Sequence, residues 1–147
     1  MTIAVDFDGT IVEHRYPEIG EERPFAIDTL KMLIKDRHKL ILWTVRTGRL
    51  LDEAVEWCRQ RGVEFYATNK DYPEEVPEKN QHYSRKLNTI DCFIDDRNVG
   101  GLPDWGTIYR MITRKKSWYD IVDEEVRNSF ATPHEDTTRK RKRWWKF

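Results

Sequence analysis

Short apolar runs alternate with amphipathic helical segments along most of the chain, and this alternation limits the fold more than any other feature. The strands predicted from these runs lie at residues 3–6, 39–44, 63–67 and 90–94. Helical spacing of apolar residues predicts helices at 24–37 and 49–61, one from about residue 104, and a short one near 118–130. Strands that alternate with helices form parallel sheets with right-handed crossovers. The sequence therefore predicts an α/β fold.

Length and composition predict one main domain. A chain of 147 residues can bury a single core, which we place at residues 1–114, with a C-terminal extension at 115–147. The sequence shows neither an apolar stretch near 18 residues nor a charged and apolar leader, so we expect no membrane span and a cytoplasmic location. Cys58 and Cys92 lie in a helical and a strand pattern and are expected to be reduced core thiols.

The first apolar run leads directly into two carboxylates. Residues 3–5 are followed by Asp6, Phe7, Asp8, Gly9 and Thr10. An apolar, β-branched run is typical of a strand buried on both faces of a parallel sheet, where ligands bind at the carboxyl ends of the strands. Two adjacent carboxylates there require a cation or a shared proton, because their charges repel. The alternative is an ordinary Asp-Gly turn after a strand.

Further polar residues follow the other apolar runs or precede the last one. They are Thr44, Lys86, and the pair Asp95 and Asp96. Together with the first pentad they match, in order and placement, the four motifs of the haloacid dehalogenase-like phosphatase superfamily, which the chain resembles over residues 1–112. The first and last motifs are specific, whereas a lone Thr or Lys is weak evidence.

The resemblance implies a fold and an activity. The expected fold is a three-layer α/β/α sandwich with a parallel, Rossmann-like sheet and a short flap after the first strand. The expected activity is Mg²⁺-dependent hydrolysis of phosphomonoesters through an aspartyl-phosphate. Asp6 would be the nucleophile. Asp8 would be the general acid and base, and an acid at that position favours a phosphatase over a dehalogenase.

The resemblance also implies the ligands of the metal and of the phosphate. Mg²⁺ would be held by Asp6, the backbone carbonyl of Asp8, and Asp95. Asp96 is either a further acid that holds a metal-bound water or only a loop residue. Thr44 and Lys86 would hold the phosphoryl oxygens. Arg85 is the competing candidate for the role of Lys86, and Thr44 taken alone could be an ordinary strand residue.

Basic residues near the same strand ends are candidates for substrate contact. Arg46, Arg49 and Arg97 are expected at one rim, where they would grip a second anionic group of the substrate; the alternative is that they are ordinary surface arginines. His14 follows the first motif, in the segment where the superfamily places its flap, so it is a further candidate.

The spacing between motifs leaves no room for the cap domain that the superfamily usually inserts. The first gap holds a short flap and one helix, and the second holds one helix, one strand and the loop at 68–85. We therefore expect an open site. An open site implies either a macromolecular substrate or a homo-oligomer in which a neighbouring subunit shields it.

The C-terminus carries a separate signal. Residues 139–147 hold six of the 26 basic residues and no acid, interleaved with Trp144, Trp145 and Phe147, so the rest of the chain has a balance of −6. Cations and indoles together can bind nucleic acid, which suggests a nucleic-acid-binding protein or a polynucleotide-end phosphatase as an alternative function. A membrane surface, a solvated terminus, and packing on the body or on another subunit are the other interpretations.

A second alternative is a receiver-like signalling domain with a phosphorylatable Asp. Such domains also gather acids, a Thr and a Lys. They place the acid pair after the first strand and the phosphoacceptor after the third, whereas here the candidate phosphoacceptor Asp6 comes first and Asp95 with Asp96 comes last. The order of the motifs therefore favours the phosphatase.

Overall fold

A four-stranded parallel sheet organises the first part of the protein. The computed structural model describes residues 1–76 and 88–131. Within them, the strands are β1 (Thr2–Val5), β2 (Lys39–Leu42), β3 (Ala67–Thr68) and β4 (Cys92–Ile94), arranged in the order β3-β2-β1-β4. The basic segment at 139–147 lies outside the described residues.

Four helices accompany the strands in the described part of the chain. They are α1 (Ala26–Lys35), α2 (Gly48–Gln60), α3 (Trp105–Arg114) and α4 (Trp118–Ala131). Each predicted helix is present, with ends that differ by one or two residues from the sequence pattern where a boundary was assigned. The α/β fold with a parallel sheet is confirmed.

The first apolar run is the centre of the sheet. In β1, Ile3, Ala4 and Val5 are at most 1% exposed, and β2 and β4 pair with its two edges. Burial of side chains on both faces of the sheet explains why these three consecutive residues are apolar. Strand β4 lies at an edge, and Phe93 within it is half exposed.

The third strand differs from its prediction. The apolar run at 63–67 predicted a strand of that length, but β3 comprises only Ala67 and Thr68. The backbone N–H of Val63 donates instead to Cys58 O at 3.0 Å, so Val63 completes the end of α2. Its apolar side chain is buried without belonging to the sheet. Burial in the core, rather than strand pairing, accounts for the pattern at that position.

The chain divides into two units, Met1–Gly106 and Thr107–Phe147. The division falls within α3. In the second unit, Ser117 and Asp120 exchange hydrogen bonds at the start of α4, as in a capping box. Arg110 pairs with Glu125 at 2.8 Å. None of the helices in the described residues is both long and apolar enough to span a membrane.

Candidate active site

Polar residues follow three neighbouring strands, at the carboxyl ends of these strands. Asp6 follows β1, Asp95 follows β4, and Thr44 lies two residues beyond β2. The ladder continues past the strands, because Asp6 N donates to Ile94 O at 3.0 Å and Trp43 N donates to Val5 O at 2.8 Å. Parallel pairing therefore holds the three loops side by side. The strand order reverses at β1, which is where open α/β sheets bind ligands.

A pocket of about 340 Å³ opens at the carboxyl ends of these strands. Six residues singled out in the sequence line it, and two aromatic residues and a valine complete the wall: Asp6, Asp8, His14, Tyr16, Trp43, Thr44, Val45, Asp95 and Arg97. Carboxylates, a hydroxyl and a cation thus share one cleft with apolar surface. This composition is typical of a small-molecule site with a few fixed polar groups.

Three carboxylates gather within or beside the pocket. Asp6, Asp95 and Asp96 each offer an oxygen, and these oxygens lie within 4.8 Å of one another. Burial, helped by the negative charges of Asp95 and Asp96, raises the pKa of Asp6 from 3.8 to about 7. A divalent cation would relieve both the desolvation and the repulsion. Mg²⁺ prefers carboxylate oxygens, so the residues present fit this ion.

Thr10 holds two of these acids in place. Its hydroxyl accepts from the backbone N–H of Asp96 at 3.0 Å and donates to Asp6 Oδ2 at 3.1 Å. Its carbonyl accepts from the indole of Trp105 at 3.1 Å. Gly9 lets the turn pass close to the Asp96 side chain, since its φ is +88° and a Cβ there would lie 2.4 Å from Asp96 Oδ2. The Gly9-Thr10 turn is therefore part of the site.

Asn69 fixes the position of Thr44, and sequence reasoning missed it. Asn69 Nδ2 donates to Thr44 O at 3.0 Å, and Thr44 N donates to Asn69 Oδ1 at 2.9 Å. The Thr44 hydroxyl accepts from Arg46 N at 3.2 Å, which leaves its hydrogen able to point at a ligand in the pocket. The available signal was an Asn just after an apolar run, because Asn is enriched in the left-handed backbone region, where Asn69 lies with a φ of +51°.

Arg46 lies in the interior and not at the exposed rim where the sequence placed it. Its side chain is fully buried and forms a two-point ion pair with Asp8, in which Nε to Oδ2 and Nη2 to Oδ1 are both 2.7 Å. The guanidinium also donates to Pro17 O at 3.0 Å and to Glu18 O at 2.8 Å. Its donors are therefore directed at the protein rather than at a second anionic group of a substrate.

The other predicted contacts differ in position. His14 and Arg97 are exposed and line the pocket. Arg49 is 84% exposed, pairs with Glu53 at 3.4 Å, and is not among the lining residues. Lys86 and its competitor Arg85 lie outside the described residues.

The fold and this pocket define an α/β protein with a carboxylate-lined cleft at the ends of parallel strands. The chain matches no protein-family model and no curated protein. It is similar to a solved structure described as a conserved protein from Bacteroides thetaiotaomicron, with 69% sequence identity and a TM-score of 0.73. The match covers 82% of this chain and 96% of the other. The chain belongs to the same family as that conserved protein.

Proposed function

We propose that the protein is a Mg²⁺-dependent phosphomonoester hydrolase of the haloacid dehalogenase-like type. The observation that carries the proposal is the carboxylate triad of Asp6, Asp95 and Asp96, whose oxygens lie within 4.8 Å of one another, with Asp6 and Asp95 lining the same pocket as Thr44. Phosphoryl transfer needs in-line placement of a nucleophile and neutralisation of the phosphate oxygens. Acids, a hydroxyl and a cation site in one cleft meet those needs.

Asp6 is the proposed nucleophile. One of its carboxylate oxygens attacks phosphorus, the bond from phosphorus to the ester oxygen breaks, and the leaving alkoxide takes a proton from Asp8, which enters this step in its protonated form. Asp8 then accepts a proton from water as that water attacks the aspartyl-phosphate, which releases inorganic phosphate and restores Asp6. Atoms and charge balance over the two steps, since one water is consumed per ester.

Asp6, Asp95 and the backbone carbonyl of Asp8 would hold Mg²⁺, with Asp96 beside them. The ion would neutralise the negative charge that the nucleophile and the phosphate bring together. The Thr44 hydroxyl would donate to a phosphoryl oxygen. In the described part of the chain, Arg97 is the cation that lines the pocket, and Lys86 is the further cation proposed from the sequence.

The leaving group would occupy the part of the pocket formed by His14, Tyr16 and Trp43. We also infer the three-layer, capless form of the fold. Between β1 and α1 the chain has only a short hairpin, in which Glu13 N donates to Glu21 O and Arg23 N to Ile11 O, both at 2.8 Å. This hairpin would serve as the flap. The site would then be open, or shielded by a second copy of the chain.

Phosphate release from p-nitrophenyl phosphate tests the proposal. We expect turnover that requires Mg²⁺ and falls by at least about 10³-fold in Asp6→Asn, because the amide cannot form the covalent intermediate. The matched control is Asp123→Asn, which removes an exposed carboxylate that pairs with Arg127. Undiminished turnover in Asp6→Asn, or turnover that survives removal of Mg²⁺ by a chelator, would contradict the proposed function.

A further inference from the structure

The buried side chain of Arg46, beside the pocket, connects two parts of the first unit. It is 0% exposed, and its four hydrogen bonds go to two different parts of the first unit. Two reach the Asp8 carboxylate after β1, and two reach the carbonyls of Pro17 and Glu18 in the hairpin that follows. One guanidinium thus ties together an acid of the pocket and the loop at residues 13–18.

The loop is the segment that carries part of the pocket wall. His14 and Tyr16 both line the cleft, and the Tyr16 ring lies 5.3 Å from the guanidinium carbon of Arg46. The Phe7 ring lies 5.2 Å from the same carbon. The guanidinium of Arg46 therefore lies over two aromatic rings while its donors bind Asp8 and the loop. This planar, multi-point contact is one that Lys cannot reproduce.

Stability alone does not explain a charge pair at this place. A buried ion pair loses hydration, and apolar residues of similar volume often stabilise a protein as well or better. What the pair does supply is a fixed direction for both Asp8 oxygens and a fixed distance from Asp8 to the loop.

We propose that Arg46 is a positioning residue, which orients the Asp8 carboxyl group in both its protonated and its ionised form and holds the 13–18 loop in register with it, so that a leaving group bound against His14 and Tyr16 meets Asp8. This inference rests on the proposed function. It assigns Arg46 a role through Asp8, without contact to the phosphate.

A double-mutant cycle on turnover tests the proposal with Arg46→Lys, Asp8→Asn and the double variant. We expect Arg46→Lys to lower kcat by about 10²-fold, within the range of general acid–base catalysis, and to leave KM within about threefold. If Arg46 acts through Asp8, the double variant is no slower than Asp8→Asn by more than about threefold. Losses that multiply would overturn the inference.

Arg59→Lys is the matched control, because Arg59 is 58% exposed and pairs with Glu56 on α2. We expect its kcat to equal that of the wild type. If Arg46→Lys lacks a cooperative melting transition, the double variant Asp8→Asn/Arg46→Met is compared with Asp8→Asn instead. This double variant removes both charges, so it leaves no unpaired buried charge. Equal kcat values support the proposal and a further large loss overturns it.

Amide hydrogen exchange supplies a readout independent of turnover. We expect peptides that contain residues 13–18 to exchange faster in Arg46→Lys than in the wild type, and to be unchanged in Arg59→Lys. Unchanged exchange in Arg46→Lys would overturn the link to the loop. A wild-type protein that releases no phosphate would overturn the proposed function, and this inference with it, whereas an active wild type with independent losses would overturn the inference alone.

Discussion

The side-chain amide of Asn69 binds both backbone polar groups of Thr44, with donor–acceptor distances of 3.0 Å and 2.9 Å. Thr44 is only 4% exposed, so water has little access to these groups. The loop after β2 therefore depends on a residue after β3 for its conformation. The carboxyl ends of two adjacent strands are joined by one side chain.

Replacing Asn69 by Gly should destabilise the protein by about 1–3 kcal/mol, because two buried backbone groups of Thr44 lose their partner. Glycine tolerates the φ of +51° at this position, so backbone strain does not add to the loss. Urea unfolding measures the change. If the two proteins unfold at the same urea concentration, Asn69 does not hold this loop.

Gly9→Ala should disturb the acid cluster. The new Cβ would lie 2.4 Å from Asp96 Oδ2 at a φ of +88°, so the turn or the acid must move. We expect a loss of about 1–3 kcal/mol in stability and a weaker response of the melting temperature to Mg²⁺. Gly100→Ala is the control, since a Cβ at Gly100 meets nothing within 4 Å. Equal effects of the two substitutions would count against the close approach.

The stability of the metal-free protein should depend on Asp6. Burial first, and then the charges of Asp95 and Asp96, raise the pKa of Asp6 from 3.8 to about 7. The unfolded chain therefore loses this proton at lower pH than the folded protein, and stability falls as the pH rises from about 4 to about 7. Above that range Asp6→Asn should be the more stable protein, by at most about 4 kcal/mol.

Thermal melts with a chelator at about pH 4 and about pH 8 measure this effect. The melting temperatures of wild type and Asp6→Asn should converge at the lower pH and separate at the higher one. Mg²⁺ should raise the melting temperature of the wild type more than that of the variant. A variant that melts below the wild type at the higher pH would show that ionised Asp6 stabilises the fold.

The two free cysteines should react at different rates. Cys58 is fully buried, and burial raises the pKa of its thiol to about 12. Cys92 is only partly buried, although burial raises the pKa of its thiol as well. Alkylation needs an exposed thiolate, so Cys92 should be modified by iodoacetamide before Cys58. Mass spectrometry of partly labelled native protein gives the order, and faster labelling of Cys58 would contradict the burial.

Removal of residues 139–147 separates the proposed hydrolase from the nucleic-acid alternative. Six basic residues leave with that segment. Turnover of a small aryl phosphate should remain, and any binding to a single-stranded oligonucleotide should weaken and lose much of its salt dependence. Loss of turnover on truncation would instead make the segment part of the active site.

Local patterns predicted the parts of the fold whose cause is local. The apolar run before Asp6 identified the buried central strand, and the helical spacing identified the helices. Asp95 and Thr44 could be placed near Asp6 because parallel strands end at one edge. The end of the run at 63–67 could not be read locally, since Val63 is buried by the turn after α2.

The contacts that sequence reasoning missed are tertiary. Arg46 and its partner Asp8 are 38 residues apart, and Asn69 lies 25 residues from Thr44. An arginine near a strand end looks like a surface cation until a buried carboxylate is found opposite it. Neither charge nor spacing in the sequence distinguishes these two cases.

The central position of β1 bears on the synthesis of the chain. Strand β1 is made first and can pair with β2 once that strand is made, but its other edge waits for β4, and the residue before β4, Asp91, accepts a hydrogen bond from Thr2 N, 89 residues away. Until then a strand with three consecutive apolar residues has an open edge, which is a hazard for aggregation. Ribosome-bound chains from which β4 has not yet emerged should therefore need chaperone protection that chains with β4 released do not.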